Sequence, residues 1–111
     1  MAAHGCFRAF PLLSAAAFVL ATWPWDADAA EVVVRIKDYA FVPAIVEIAP
    51  GDTVVWVNAD DTPHNVLAQD KAFKSPPLDT GETYRRTFDQ AGNYDYLCQL
   101  HPHMKGRVVV R

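Results

Sequence analysis

Cys98, His101 and Met104 fall at three-residue steps within YDYLCQLHPHMKG, residues 94–106, in the pattern C-x-x-H-x-x-M. A thiolate, an imidazole and a thioether on so short a stretch can converge on one point. Pro102 and Gly106 favour the tight turn this requires. Two sulfurs and a borderline nitrogen suit copper far better than magnesium or calcium. One more strong donor would complete a trigonal set. His64, after a predicted strand and directly behind Pro63, is the candidate. Two imidazoles and a thiolate with a weak axial methionine make the copper arrangement used for electron transfer. The thiolate offers the electron a covalent path, and the nitrogen–sulfur mixture suits both Cu(I) and Cu(II). Zinc is the rival metal, but methionine is a poor zinc ligand.

Each residue alone has a plainer reading. His64 would be a loop histidine, Met104 a core side chain and Cys98 a buried structural thiol. Compartment bears on the cysteine. Arg8 precedes the small and apolar run of residues 9–21, and Ala27-Asp28-Ala29 offers a small-x-small cleavage site. That order predicts a secretory signal peptide over residues 1–29, cleaved near Ala29 or Ala30. The run is too short to span a bilayer with ease, so no stable membrane insertion is expected after cleavage. Of the two cysteines, Cys6 leaves with the signal. Exported cysteines usually pair, so Cys98 is left with an intermolecular bridge, a reactive thiol or a metal bond. The adjacent His101 and Met104 favour the metal.

The elements that must position these donors are strands. The chain of 111 residues is enough for one small domain, placed at residues 30–111. A domain of this size gains from a bound metal. Ten Lys and Arg against thirteen Asp and Glu give a net charge of −3, with no basic run, which excludes a nucleic-acid footprint. Alternating or β-branched stretches predict strands at 31–37, 44–48, 53–58, 65–68, 82–88, 92–97 and 107–111, with Trp56 entering the core. Tyr94 and Tyr96 share the parity of Cys98 and should point inward with it. Arg85 and Arg86 read as a solvated strand edge. Seven short strands with turn signals between them predict an all-β sandwich or barrel.

The segments VEIAPGDTVVWVN, DTPHNV and AGNYDYLCQLHPHMKGRVVV carry a family resemblance. Over residues 31–111 the chain resembles the cupredoxins, small type 1 blue copper proteins, and most of all those of amicyanin type, whose short ligand loop reads C-x-x-H-P-x-M. The resemblance implies a Greek-key β-sandwich of about seven to eight strands holding one copper ion that cycles between Cu(I) and Cu(II). Its ligands would be His64, Cys98, His101 and Met104. Asn65 would tie the two ligand loops together and donate toward the thiolate. The implied activity is one-electron transfer in the periplasm by a monomer that is not an enzyme. Its partners would be redox proteins such as a dehydrogenase or a c-type cytochrome. A copper-buffering or copper-delivering role would use the same ligands. Two features depart from the amicyanin pattern. The extra N-terminal segment is missing from the predicted mature chain, and His103 replaces an apolar aromatic on the docking face. Pro63, Leu100 and Pro102 would supply the rest of that face.

Overall fold

The computed structural model describes Gly5 and residues 29–111. The expected signal peptide at 1–29 therefore lies outside the described residues, save Gly5 and Ala29. Period-two patterning builds the first sheet. In β1 (Glu31–Lys37), Val34 and Ile36 are buried while Val33, Arg35 and Lys37 face outward. β2 (Ala40–Val42) and β4 (Asp52–Asn58) flank β1, the first antiparallel and the second parallel. β6 (Thr83–Phe88) completes the order β2-β1-β4-β6. The second sheet runs β3 (Ile45–Ile48), β8 (Lys105–Val110), β7 (Gly92–Leu97) and β5 (Leu67–Ala68). Two four-stranded sheets enclosing one core make an all-β sandwich of eight strands, with no helix among the described residues.

Trp56, fully buried on β4, is the hub of that core. Its ring lies 5.4 Å from Tyr96, 5.6 Å from Tyr84, 6.1 Å from Phe73 and 6.5 Å from Phe88. Each large apolar side chain removed from water here contributes about 1.5–3 kcal/mol. Tyr96 lies so close over its cross-strand partner Gly106 that a Cβ there would stand 2.3 Å from the phenol ring. Burial pushes the Tyr96 phenol up to about 12; the Trp56 indole N–H pulls the other way but stands outside hydrogen-bond geometry.

Four local features differ from the sequence reading. β2 was not anticipated. It follows β1 through a two-residue turn in which Asp38 (φ 52°) and Tyr39 (φ 57°) are both left-handed. Such turns favour Asn-Gly, and a non-glycine residue in this region costs about 1–2 kcal/mol. The Asp60 carboxylate offsets that cost by accepting the N–H groups of Asp38 (2.8 Å) and Tyr39 (3.0 Å). β5 is shorter than expected because side chains take the donors a ladder would use. Asn65 N–H goes to Cys98 Sγ, and Val66 N–H to Ser75 Oγ. β8 begins at Lys105 rather than Arg107, directly opposite Leu97. Finally, Arg86 is not a solvated edge residue. It is half-buried on the inward parity of β6, its guanidinium 4.8 Å from the Phe73 ring centroid and 5.7 Å from that of Phe88.

Candidate metal centre

The pairing of Leu97 with Lys105 makes residues 98–104 the closed loop of a β-hairpin. Its own backbone tightens it. Cys98 N–H donates to Met104 O at 3.1 Å, His101 N–H to Cys98 O at 3.2 Å, and Met104 N–H to His101 O at 2.9 Å. The three-residue steps in the sequence are thus successive turns of chain. Cys98 continues the inward parity of Tyr96 and is fully buried with a free thiol. Met104 is buried in the same core, while His101 is half-buried at the surface.

His64 arrives from another part of the fold. It is held by a two-way backbone bridge to Leu78, with N–H to O distances of 3.2 and 2.7 Å. The preceding loop is organised by Asn58, buried at the end of β4. Its Nδ2 donates to Thr62 O and Leu78 O, and its Oδ1 accepts Asp60 N–H. The His64 side chain is wholly buried, with Nε2 2.8 Å from Asp60 Oδ2. Burial alone would raise the Asp60 carboxyl. The N–H groups of Tyr39 and Asp38 and the His64 ring outweigh it and hold it below the usual carboxylate range. An ionised carboxylate only accepts hydrogen bonds, so His64 Nε2 is the donor, and in the neutral ring Nδ1 keeps the free lone pair.

That lone pair faces two other donors. His64 Nδ1 lies 3.2 Å from His101 Nδ1 and 3.7 Å from Cys98 Sγ, and His101 Nδ1 lies 3.8 Å from the same sulfur. His64, Cys98 and His101 thus form one metal-competent cluster. Three donor atoms turned toward one another need a proton or a metal ion among them. Their separations fit one ion at first-row bond lengths of roughly 2.0–2.3 Å. Two imidazoles with a thiolate match copper chemistry. Asn65 joins the two halves: its backbone N–H lies 3.4 Å from Cys98 Sγ, and its Oδ1 accepts Gln99 N–H at 2.7 Å. Pro63, Leu100, Pro102 and His103 are all exposed, and the His103 ring is 6.4 Å from that of His101.

Two residues at the site were missed from sequence. Asp60 had a signal, a carboxylate one helical turn's spacing before a candidate ligand histidine, of the kind that orients metal-bound imidazoles. Tyr39 had none. Its ring stands edge-on to both His64 and His101, although it belongs to the turn after β1.

A β-sandwich with this donor cluster defines a small copper protein, and the sequence profile of the copper binding proteins of the plastocyanin/azurin family matches residues 28–111. The chain belongs to that family, a cupredoxin whose cofactor is one copper ion. It is similar to the amicyanin of Paracoccus versutus, 39% identical over 90 residues that span 77% of this chain and 68% of that protein. A solved structure of a reduced amicyanin mutant matches with a TM-score of 0.69 and 38% identity, over 77% of this chain and 85% of that one. A copper-containing nitrite reductase from Thermus scotoductus matches with a TM-score of 0.69 and 36% identity, over 73% of this chain. This chain spans only 22% of that enzyme.

Proposed function

We propose that the protein is a soluble one-electron carrier of amicyanin type, with His64, Cys98, His101 and Met104 holding its copper. Copper supplies one reversible electron there, passing between Cu(I) and Cu(II). The observation that carries the reading is the convergence of two imidazole nitrogens and a buried thiol sulfur within 3.2–3.8 Å of one another. Donors held so closely before any electron moves need little rearrangement when the charge changes. The hairpin loop fixes Cys98, His101 and Met104 together, and the Asp60 contact fixes the tautomer of His64. Asn65 N–H, aimed at Cys98 Sγ, ties the His64 loop to the ligand hairpin.

The half-buried His101, on a loop with exposed Leu100, Pro102 and His103, is the edge through which electrons enter and leave, and exposed Pro63 beside His64 would extend the docking face. A dehydrogenase or a c-type cytochrome is the expected kind of partner. Residues 1–29 are read as an export signal, which places the mature protein in the periplasm. A carrier rather than an enzyme also fits a site whose four expected ligands all come from the protein.

The test is spectroscopic. The Cu(II) protein should show an intense visible charge-transfer band that vanishes in Cys98→Ser, together with reversible voltammetry and fast self-exchange. A copper-loaded protein without that band would overturn the assignment. Ready transfer of the metal to a client protein, with slow self-exchange, would turn the reading to copper delivery. Amino-terminal sequencing of exported protein tests the cleavage near Ala29.

A further inference from the structure

Tyr39 sits at the tip of the β1–β2 turn, yet it packs against the copper site. Its ring centroid is 5.4 Å from that of His64 at an interplanar angle of 90°, and 4.9 Å from that of His101 at 85°. Edge-to-face contact is a favoured geometry for such rings. The two imidazoles are themselves 5.0 Å apart, so the three rings form one cluster. The phenol oxygen reaches Thr62 Oγ1 at 3.4 Å, along the loop that leads to His64.

Burial does not account for this placement, because Tyr39 is 46% exposed. Local preference opposes it, because tyrosine at φ 57° occupies a region that β-turns of this kind reserve for glycine or asparagine. What retains the conformation is Asp60. One carboxylate accepts the N–H groups of Asp38 and Tyr39 and the ring N–H of His64. The group that orients the buried histidine therefore also holds the turn that brings Tyr39 over both histidines. Backbone strain kept in place by surrounding structure is characteristic of functional positions.

We propose that Tyr39 is a positioning residue of the copper site, whose ring holds the two histidine ligands in their bound orientation and covers their edges against water. The proposal rests on the copper reading above. His101 needs such support most. It lies on the surface loop, half-buried, and among the described residues its ring has no carboxylate partner of the kind that fixes His64.

Three variants of the copper-loaded full-length protein separate the ring from the strain. The measurements are chelator-driven loss of Cu(II) to excess EDTA, the Cu(II) EPR hyperfine pattern, and the melting temperature of the apoprotein. Tyr39→Phe keeps the ring and should stay within about twofold of the unmodified protein in copper loss. Tyr39→Leu keeps the strain but loses the ring. It should release copper about tenfold faster, equivalent to about 1.4 kcal/mol, with an altered hyperfine pattern. Tyr39→Gly loses both ring and strain. It should release copper equally fast while its apoprotein melts at the same temperature or a few degrees higher. Opposite movement of apoprotein stability and copper retention is the signature of a positioning role.

Unchanged EPR with copper loss that merely follows apoprotein melting would reduce Tyr39 to a structural residue and overturn the proposal. So would copper loss within twofold in both Leu and Gly variants. A missing blue band in the unmodified protein would overturn the copper reading and the proposal with it, an outcome distinct from a blue protein whose variants behave alike.

Discussion

Asp60 Oδ2 lies 2.8 Å from His64 Nε2, joining an acidic residue of the β4–β5 loop to a buried histidine four residues on. The contact sets which nitrogen of His64 is free and which way its ring faces. Asp60→Asn keeps the shape but removes the charge and one acceptor. Copper affinity should fall about 10–100-fold, the usual cost of losing such an outer partner. The reduction potential should rise, because a less basic imidazole stabilises Cu(II) less. Competition against a chelator and cyclic voltammetry measure the two. Unchanged values in both would show that the carboxylate does not tune the ligand.

Asn65 makes two separable contributions. Its backbone N–H points at Cys98 Sγ, and its side-chain oxygen accepts Gln99 N–H. Asn65→Ala keeps the first and removes the second, together with the long Asn65 Nδ2 to Gln99 Oε1 contact at 3.4 Å. The blue band should persist nearly unshifted, while denaturation of the apoprotein should show a loss of about 1 kcal/mol, the usual net worth of one hydrogen bond. A lost band would mean that the side chain governs the thiolate directly.

Gly106 faces the ring of the fully buried Tyr96, which has no room to retreat. Gly106→Ala should destabilise the fold by about 1–3 kcal/mol through overpacking. Tyr96→Phe should not, because the buried Tyr96 hydroxyl has no hydrogen-bond partner among the described residues. Urea unfolding of both variants tests the contrast. Equal losses would point to a hydroxyl that matters more than the contact.

Asp95 and Arg107 face each other across β7 and β8, with Arg107 Nε donating to Asp95 Oδ1 at 2.5 Å. The guanidinium holds the Asp95 carboxyl below its usual range. A lowered carboxylate pKa gives stability that is fully present above about pH 4, the unfolded value. That stability fades as the pH drops toward the folded value. The pair is exposed, so its effect on stability should be small. Carbon-13 NMR should find Asp95 titrating lower than in Arg107→Gln, and equal midpoints would refute the coupling.

Much of the fold is legible from alternation. β1, β4, β6 and β7 lie close to their expected bounds because large apolar residues such as Val34, Ile36, Trp56, Phe88 and Tyr96 recur at period two on their inward faces. The β1–β2 hairpin was illegible for a definite reason. Asp38-Tyr39 carries no glycine or asparagine, and its left-handed turn is stabilised by a carboxylate some twenty residues away. Arg86 was misread for a related reason, since the aromatic rings that take up its guanidinium include Phe73 on a distant segment.

At the metal centre the same division holds. The sequence alone determined that Cys98, His101 and Met104 share one loop, because their spacing is local and a tight hairpin must bring its own residues together. It also determined the chemical character of the donors, and with it the preference for copper. Only the tertiary structure decided that His64 meets Cys98 and His101, that Asp60 orients it, and that Tyr39 lies across both imidazoles. Those relationships join segments far apart in the chain, and the packing of two sheets around Trp56 sets their distances.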